Sequence, residues 1–222
     1  MTLGDALEED RRATASREAF ALARFVCPAS RLPELPATDR ELSVVLDVDP
    51  DPNEPFAAVE TTFREDLAAL SELADEIYVE VPVDADLECR LDRIATLGFR
   101  AKVRCGGASV PSVHELARFV RGCSERGLPF KATAGLHHAV RRNGDHGLLN
   151  LLAAVAFDDV EGALAEEDAV AFALDRESFR WRGQVAMPAQ LERARHERLR
   201  SIGSCSFFEP IEELAAIGIL PL

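Results

Sequence analysis

Apolar residues recur along the chain with two periods, one of two residues and one of about 3.6 residues. Runs with strand-like alternation are bounded by turn residues, and the segments between them have the spacing of amphipathic helices. Strands are predicted at 43–49, 76–82, 99–107, 129–135 and 201–207. Helices are predicted at 55–74, 86–98, 111–127, 147–157, 159–175, 189–200 and 209–220. Strands alternating with helices of this length are typical of βαβ units and a parallel sheet.

The N-terminal part of the chain breaks this rhythm. Residues 1–14 are charged and predicted to be frayed, 16–26 has helical spacing, and 27–40 contains three prolines and predicts a loop. We therefore expect an N-terminal helix and connecting loop at 1–40, followed by a single domain at 41–222. Within that domain, 179–187 predicts either a strand or a loop.

The predicted strands are apolar on one face and ionic on the other. In 76–82, Ile77 and Val79 share one face, while Tyr78 and Glu80 share the opposite face. An open sheet covered by helices on both sides should have strands that are apolar on both faces. The pattern therefore predicts a TIM-like (β/α) barrel with its ionic face inside. Eight full units take about 250 residues, so we expect a small or incomplete barrel. An open doubly wound parallel sheet is the alternative.

The amino-acid composition indicates which classes of binding partner and which cellular compartment to expect. The net charge of −14 argues against binding nucleic acid or an anionic membrane surface. No apolar run approaches the roughly 18 residues of a membrane span, and the acidic N-terminus does not resemble a signal peptide. Five scattered cysteines without a CxxC pair suit a reducing cytoplasm. Cys105 and Cys205 alternate to the apolar side and are expected in the core. The apolar segment 217–222 predicts docking against the body or in a homodimer.

Lysine is rare in this chain. Of 25 Lys and Arg residues, only Lys102 and Lys131 are lysine, and both fall on the ionic face of neighbouring predicted strands. An amine can lose its proton and attack a carbonyl, whereas a guanidinium cannot. The two lysines are therefore candidates for imine chemistry. A structural role is the alternative, in which a compact cation pairs with Glu80 or Asp47 inside the fold.

The proximity of positively charged side chains on the ionic face suggests how a lysine could react. Nearby positive charge lowers the pKa of a lysine. Grouping Lys102, Arg104 and Lys131 is therefore expected to lower the pKa of both lysines, and burial lowers it further. A neutral lysine would form a protonated imine with an aldehyde or ketone, and the imine would act as an electron sink for C–C cleavage or proton removal. We favour Lys131 as the nucleophile because polar residues follow it. Proton transfer is assigned to Lys102 and to three further side chains, Glu80, His137 and His138.

Polar loops after the predicted strands suggest a site for an anion such as phosphate or carboxylate. Candidate anion-binding residues are Arg104, Gly106, Gly107, Arg141, His146, Asn150, Ser204 and Ser206. We expect no metal and no cofactor, because the adjacent histidines lack the spacing of familiar zinc motifs. Two alternatives stay open: a metal-dependent isomerase or hydrolase using Asp47, Asp49, Glu80 and the histidines, and a non-catalytic barrel.

The segments AKVRCGG, KATAGLHH, HGLLN and GSCSFFEP together resemble a bacterial, largely actinobacterial, protein family without an assigned activity. That resemblance covers roughly residues 40–220 and implies no function. FKATAG and AKVRCGG are also similar to the lysine-bearing strands of class I aldolases of the deoxyribose-phosphate type, with the two strands in reverse order. This second resemblance covers about fifteen residues and implies a Schiff-base barrel. The sequence thus predicts a lysine-dependent lyase or aldolase acting on a small anionic carbonyl compound.

Overall fold

A computed structural model describes residues 2–48, 56–107 and 110–220. Seven parallel strands form one sheet that curls into a half-barrel. In their order across the sheet they are β1 (Phe25–Pro28), β2 (Leu42–Val45), β3 (Phe56–Thr62), β4 (Ala74–Glu80), β5 (Arg100–Arg104), β6 (Phe130–Thr133) and β10 (Leu199–Gly203). A separate antiparallel sheet contains β7 (Phe172–Leu174), β8 (Phe179–Trp181) and β9 (Gln184–Ala186).

The helices of the described residues connect these strands and flank the sheet. They are α1 (Leu3–Thr14), α2 (Leu87–Thr96), α3 (Val113–Glu125), α4 (Leu148–Ala156), α5 (Val160–Ala165), α6 (Pro188–Glu197) and α7 (Phe208–Ala216). A capping box begins α3, since the Ser112 side chain accepts from the Glu115 amide and the Glu115 side chain accepts from the Ser112 amide. Short 3-10 helices lie at Ala19–Ala21, Ala29–Glu34, Leu67–Glu72 and Ala169–Ala171.

The predicted parallel α/β sheet is confirmed. Its strands follow chain order without the reversal that defines a doubly wound sheet. Within the described residues, β1 and β10 are the two edges and do not pair with each other, so the sheet remains open. The half-barrel therefore has the strand order of a (β/α) barrel without its closure.

Four predictions about individual elements are wrong. The segment 159–175, predicted to be one helix, contains α5, a 3-10 helix and then β7, which pairs with β8. The segment 55–74 was predicted to be a helix, yet β3 and a 3-10 helix occupy its described part, because β3 pairs with β2 on one side and β4 on the other. The segment 16–26, predicted to be helical, has only a 3-10 helix at Ala19–Ala21 and then enters β1, which pairs with β2. Residues 3–14, predicted to be frayed, form α1, which is held by a capping box between Thr2 and Asp5.

The apolar core lies on the helix-facing side of the sheet. Ile77 and Val79 of β4, Val103 of β5 and Phe130 of β6 are buried there against residues of the helices. Ile219 also joins this core, so part of the apolar segment 217–222 docks against the body; Pro221 and Leu222 lie outside the described residues. The alternating residues on the opposite, concave side of the sheet carry the ionic groups, as the sequence predicts.

Candidate active site

Glu60 of β3 is the centre of a buried ionic cluster. Its carboxylate accepts hydrogen bonds from Lys131 Nζ and, at 2.7 Å, from Ser43 Oγ. Lys102 Nζ lies 2.9 Å from the second carboxylate oxygen. The Glu60 side chain is 1% exposed, so both lysines share one carboxylate almost out of contact with solvent. We call Ser43, Glu60, Glu80, Lys102 and Lys131 the Glu60 cluster.

Sheet curvature makes the cluster possible. Lys131 is on β6 and Glu60 on β3, with β4 and β5 between them. In a flat sheet, three strand spacings of about 4.8 Å would separate their backbones by about 14 Å. Their direct contact shows that the side chains converge from the concave side. The two lysines themselves are register partners on the adjacent strands β5 and β6.

Glu80 extends the cluster toward the carboxyl end of the sheet. Its Oε2 lies 3.1 Å from Lys102 Nζ, and its Oε1 lies 3.9 Å from Nε of the half-exposed Arg104 side chain. The other lysine of the cluster lies over an aromatic ring, since Lys131 Nζ is 5.7 Å from the centroid of the Tyr78 ring. Lys102 therefore contacts two carboxylates, whereas the salt bridge of Lys131 is to Glu60 alone among the described residues.

Charges within the cluster set its protonation states. Burial raises the pKa of Glu60, but Lys131 and Lys102 outweigh burial and bring that pKa down to about 2. Burial lowers the pKa of Lys131; Glu60 opposes this shift, and the nearby charge of Lys102 adds to it. The Lys131 ammonium therefore loses its proton more readily than a lysine in water.

A second ionic group lies toward the amino end of the concave side. The Glu76 carboxylate contacts Arg24 at 2.6 Å, Arg200 at 3.4 Å and Arg100, and it accepts a hydrogen bond of 2.9 Å from the Tyr78 hydroxyl. Burial raises the pKa of Glu76, but these donors lower it to about 2 overall. The guanidinium groups around Glu76 have fixed charge, which suits a structural role.

The backbone around Lys131 is unusual on two sides. A β-carbon built at Gly203 of β10 would lie 3.1 Å from Thr133 Cγ2 and 3.6 Å from Lys131 Cε, so this glycine packs directly against the lysine side chain. Ala134, just after β6, has a φ of 62°, in the left-handed region that alanine rarely adopts. Both features lie at the carboxyl end of the sheet, where (β/α) folds place their sites.

The paired histidines lie after β6 and face α7. His137 Nδ1 is 2.6 Å from Glu209 Oε2, and His138 Nδ1 is 2.8 Å from Glu213 Oε1. Glu213 also accepts a hydrogen bond from the Ala139 amide. His137 and His138 therefore join the loop after β6 to α7, and the hydrogen bonds of their Nδ1 atoms are to α7 rather than to the Glu60 cluster.

Arg141, His146 and Asn150 form a different cluster. His146 is fully buried, its Nε2 donates to the Pro111 carbonyl at 2.7 Å, and burial lowers its pKa. Asn150 is equally buried and accepts from the Arg141 amide while donating to the Ala163 carbonyl. These bonds give all three residues a structural role, and we leave them out of the proposed anion site.

The remaining candidates for anion binding lie in the loops. A β-carbon at Gly106 would come within 2.4 Å of Gly135 Cα, so this glycine allows two loop backbones to touch. Gly107 has a φ of 96° and lies beside the Arg104 guanidinium. Ser204 is exposed, while the Ser206 hydroxyl donates to Glu9 of α1 at 3.0 Å. Of these residues, Arg104, Gly107 and Ser204 are the ones with room for a ligand.

Sequence reasoning missed Glu60, because the segment that contains it was predicted to be a helix. It also placed Cys205 in the core, whereas the thiol is exposed and lies 3.4 Å from His137 Nε2. Cys205 follows the end of β10, so strand alternation no longer applies to it. Cys105 is buried, as predicted.

The residues predicted for a metal-dependent isomerase or hydrolase are not brought together in one site. Asp47 accepts from the Ser30 amide and hydroxyl, away from the lysines, and Asp49 lies outside the described residues. In the described ranges, no three His, Cys, Asp or Glu side chains are grouped so that they could hold a metal ion. That alternative therefore has no ligand set in the part of the chain that is described.

A cavity of about 560 Å³ lies on the other side of the sheet. Leu128, Phe130 and Phe157 line it together with Arg198. Phe130 alternates with Lys131 along β6, so the cavity opens on the helix-facing side and is separated from the Glu60 cluster by the sheet. Its lining includes Glu125, Asp158 and Glu197 but no lysine, so we assign the candidate site to the concave side.

Comparison of the chain with known protein families, curated proteins and solved structures gives no match. Within the described residues, the helices are too short or too polar to cross a membrane. The functional interpretation therefore depends on the geometry of the site.

Proposed function

We propose that this protein is a lysine-dependent lyase or aldolase that forms a Schiff base with a small anionic carbonyl compound. The observation that supports this function most directly is the convergence of two buried amines on the Glu60 carboxylate. We further propose that the half-barrel is a trimmed (β/α) barrel. The similarity to deoxyribose-phosphate-type aldolases agrees with this proposal and stays a prediction.

Lys131 is the proposed nucleophile. Its pKa is lowered by burial and by Lys102, and its side chain packs against Gly203, which has no side chain to crowd it. Loss of its proton to solvent would free the amine to attack a carbonyl carbon, while Glu60 stays ionised beside it. The resulting carbinolamine loses water, and the protonated imine then accepts the electron pair of a breaking C–C or C–H bond.

Lys102 and the two carboxylates support this chemistry. Lys102 holds positive charge beside Lys131 and is itself held by Glu60 and Glu80. Glu80 is the more exposed carboxylate of the two, at 18% against 1%, and it faces the carboxyl end of the sheet. We assign Glu80 to proton exchange with the substrate and Arg104, which is half-exposed beside it, to binding the anionic group.

Reductive trapping tests this function. The protein is incubated with pyruvate or glyceraldehyde 3-phosphate and sodium borohydride, and the adduct is located by intact mass and peptide mapping. We expect one adduct on Lys131, lost in Lys131→Met and Lys131→Arg. The arginine variant is the matched control, because it keeps the charge beside Glu60 but cannot form an imine. An adduct on neither lysine with any carbonyl probe would overturn the proposal.

A non-catalytic role is the second candidate, and burial favours it. Lys102 is 5% exposed and Lys131 is 4% exposed, so both amines are already satisfied within the fold. In that case Lys131→Arg and Lys131→Met would change the stability of the protein, while no carbonyl compound would give an adduct. The trapping experiment therefore separates the two candidates.

A further inference from the structure

Three side chains at the carboxyl end of the sheet, two from loops and one from α7, form a relay that the lysine chemistry does not use. Cys205 Sγ lies 3.4 Å from His137 Nε2, and His137 Nδ1 lies 2.6 Å from Glu209 Oε2. Cys205 follows β10, His137 follows β6, and Glu209 is in the first turn of α7. Because β6 and β10 are adjacent strands, the fold brings these residues together.

The hydrogen bonds define the direction of the relay. A carboxylate can only accept, so Nδ1 of His137 carries the proton that is donated to Glu209. In the neutral imidazole, Nε2 then presents its lone pair to the Cys205 thiol. This order of nucleophile, base and orienting carboxylate is the arrangement that activates a thiol in acyl-transfer enzymes.

Exposure makes the thiol available to a reactant. Cys205 and Cys89 are exposed, whereas Cys27, Cys105 and Cys123 are buried. Among the described residues, the Cys89 thiol has no hydrogen bond to a histidine. The His137 side chain is 32% exposed, so both the thiol and its base are accessible from solvent.

We propose that Cys205, His137 and Glu209 form a second reactive centre, in which Cys205 is a nucleophile toward esters and thioesters of small carboxylic acids. His137 takes the thiol proton through Nε2 as Sγ bonds to the acyl carbon. The bond from that carbon to the leaving oxygen or sulfur breaks, and the leaving group takes the proton back from His137. Water then hydrolyses the enzyme thioester, which releases the acid and restores the thiol. Glu209 is a positioning residue that holds the imidazole.

The first experiment uses p-nitrophenyl acetate as the probe and follows p-nitrophenolate release together with the site of acetylation. We expect acetylation of Cys205 at neutral pH to be at least roughly tenfold faster than that of Cys89, which is the control in the same molecule. His137→Ala should lower the Cys205 rate to that of Cys89, and His114→Ala, at an exposed histidine distant in sequence, should leave it unchanged. Equal rates at Cys205 and Cys89 in the unaltered protein would overturn the proposal.

The second experiment measures alkylation of Cys205 by iodoacetamide against pH. Glu209→Gln should shift the rise in rate to higher pH, because the imidazolium that accompanies the thiolate loses its carboxylate partner. A purely structural Glu209 would leave this profile in place even if the variant were less stable, so an unshifted profile would exclude the positioning role. Lys131→Met should keep the thiol reactivity, which separates this centre from the Schiff-base proposal.

Discussion

Lys131 of β6 donates a hydrogen bond to Glu60 of β3, although two strands lie between them. Lys102 contacts the same carboxylate from β5, so three strands of the half-barrel are joined by one buried side chain. The two lysines of this chain therefore share one environment. The effect of this contact on stability can be measured without an assay for a reaction.

Removal of the Glu60 charge should destabilise the protein more than removal of Lys131. Glu60→Gln leaves two buried ammonium groups with one carboxylate fewer, and breaking a buried pair in this way costs about 3–5 kcal/mol. Lys131→Met should cost less, because Glu60 keeps Lys102 and Ser43 as partners. Urea unfolding at pH 7 measures both. Glu8→Gln, in an exposed pair with Arg11, is the control and should leave the free energy of unfolding nearly unchanged. The reverse order of the two buried variants would contradict the cluster as described.

Stability should fall as the pH drops below about 4.5, partly through Glu60. Its pKa is lowered from 4.5 to about 2 in the folded protein, so its contribution is complete above 4.5 and is lost as the pH falls toward 2. A difference of this size corresponds to about 3 kcal/mol. Urea titrations from pH 5 to pH 2 should therefore show a shallower decline for Glu60→Gln than for the unaltered protein. If the stability of the two proteins fell equally with pH, Glu60 would not be responsible for this part of the pH dependence.

A side chain at position 203 should crowd Lys131. The β-carbon of Gly203→Val would lie 3.6 Å from Lys131 Cε and 3.1 Å from Thr133 Cγ2, so the two methyl groups would have to displace neighbouring side chains. We expect imine trapping with pyruvate to fall by roughly tenfold or more, in line with the cost of misplacing a reacting group. Gly4→Ala, at an open position in α1, is the matched control for adding a side chain at a glycine. Undiminished trapping in a folded Gly203→Val variant would place the substrate's approach elsewhere.

Glycine at position 134 should stabilise the fold. Ala134 has a φ of 62°, where a β-carbon costs roughly 1–2 kcal/mol that glycine avoids. Ala134→Gly should therefore raise the free energy of unfolding by about 1 kcal/mol, whereas Ala132→Gly, at a buried position within β6, should lower it. Thermal and urea unfolding of the two variants provide the comparison. A loss of stability in Ala134→Gly would mean that the strain is offset by packing of the alanine methyl.

Alternation along the strands was enough to predict that Lys102, Lys131 and Glu80 share one face and meet. It could not reveal Glu60, because Ala57, Ala58 and Glu60 suit a helix as well as a strand, and pairing with strands on both sides decided the outcome. Asn150 was misleading for another reason. Polar residues near a strand end resemble a ligand site, and only the tertiary fold shows that this one satisfies buried backbone groups.

The two edges of the half-barrel are held by a charge rather than by backbone pairing. Among the described residues, β1 and β10 share no hydrogen bonds, yet Glu76 contacts Arg24 just before β1 and Arg200 within β10. One carboxylate on the middle strand therefore links the two edges across the concave side. Neutralising it would leave Arg24 with Glu41 and remove the salt bridge of Arg200, so this ionic contact between the rims would be lost through a change in one side chain.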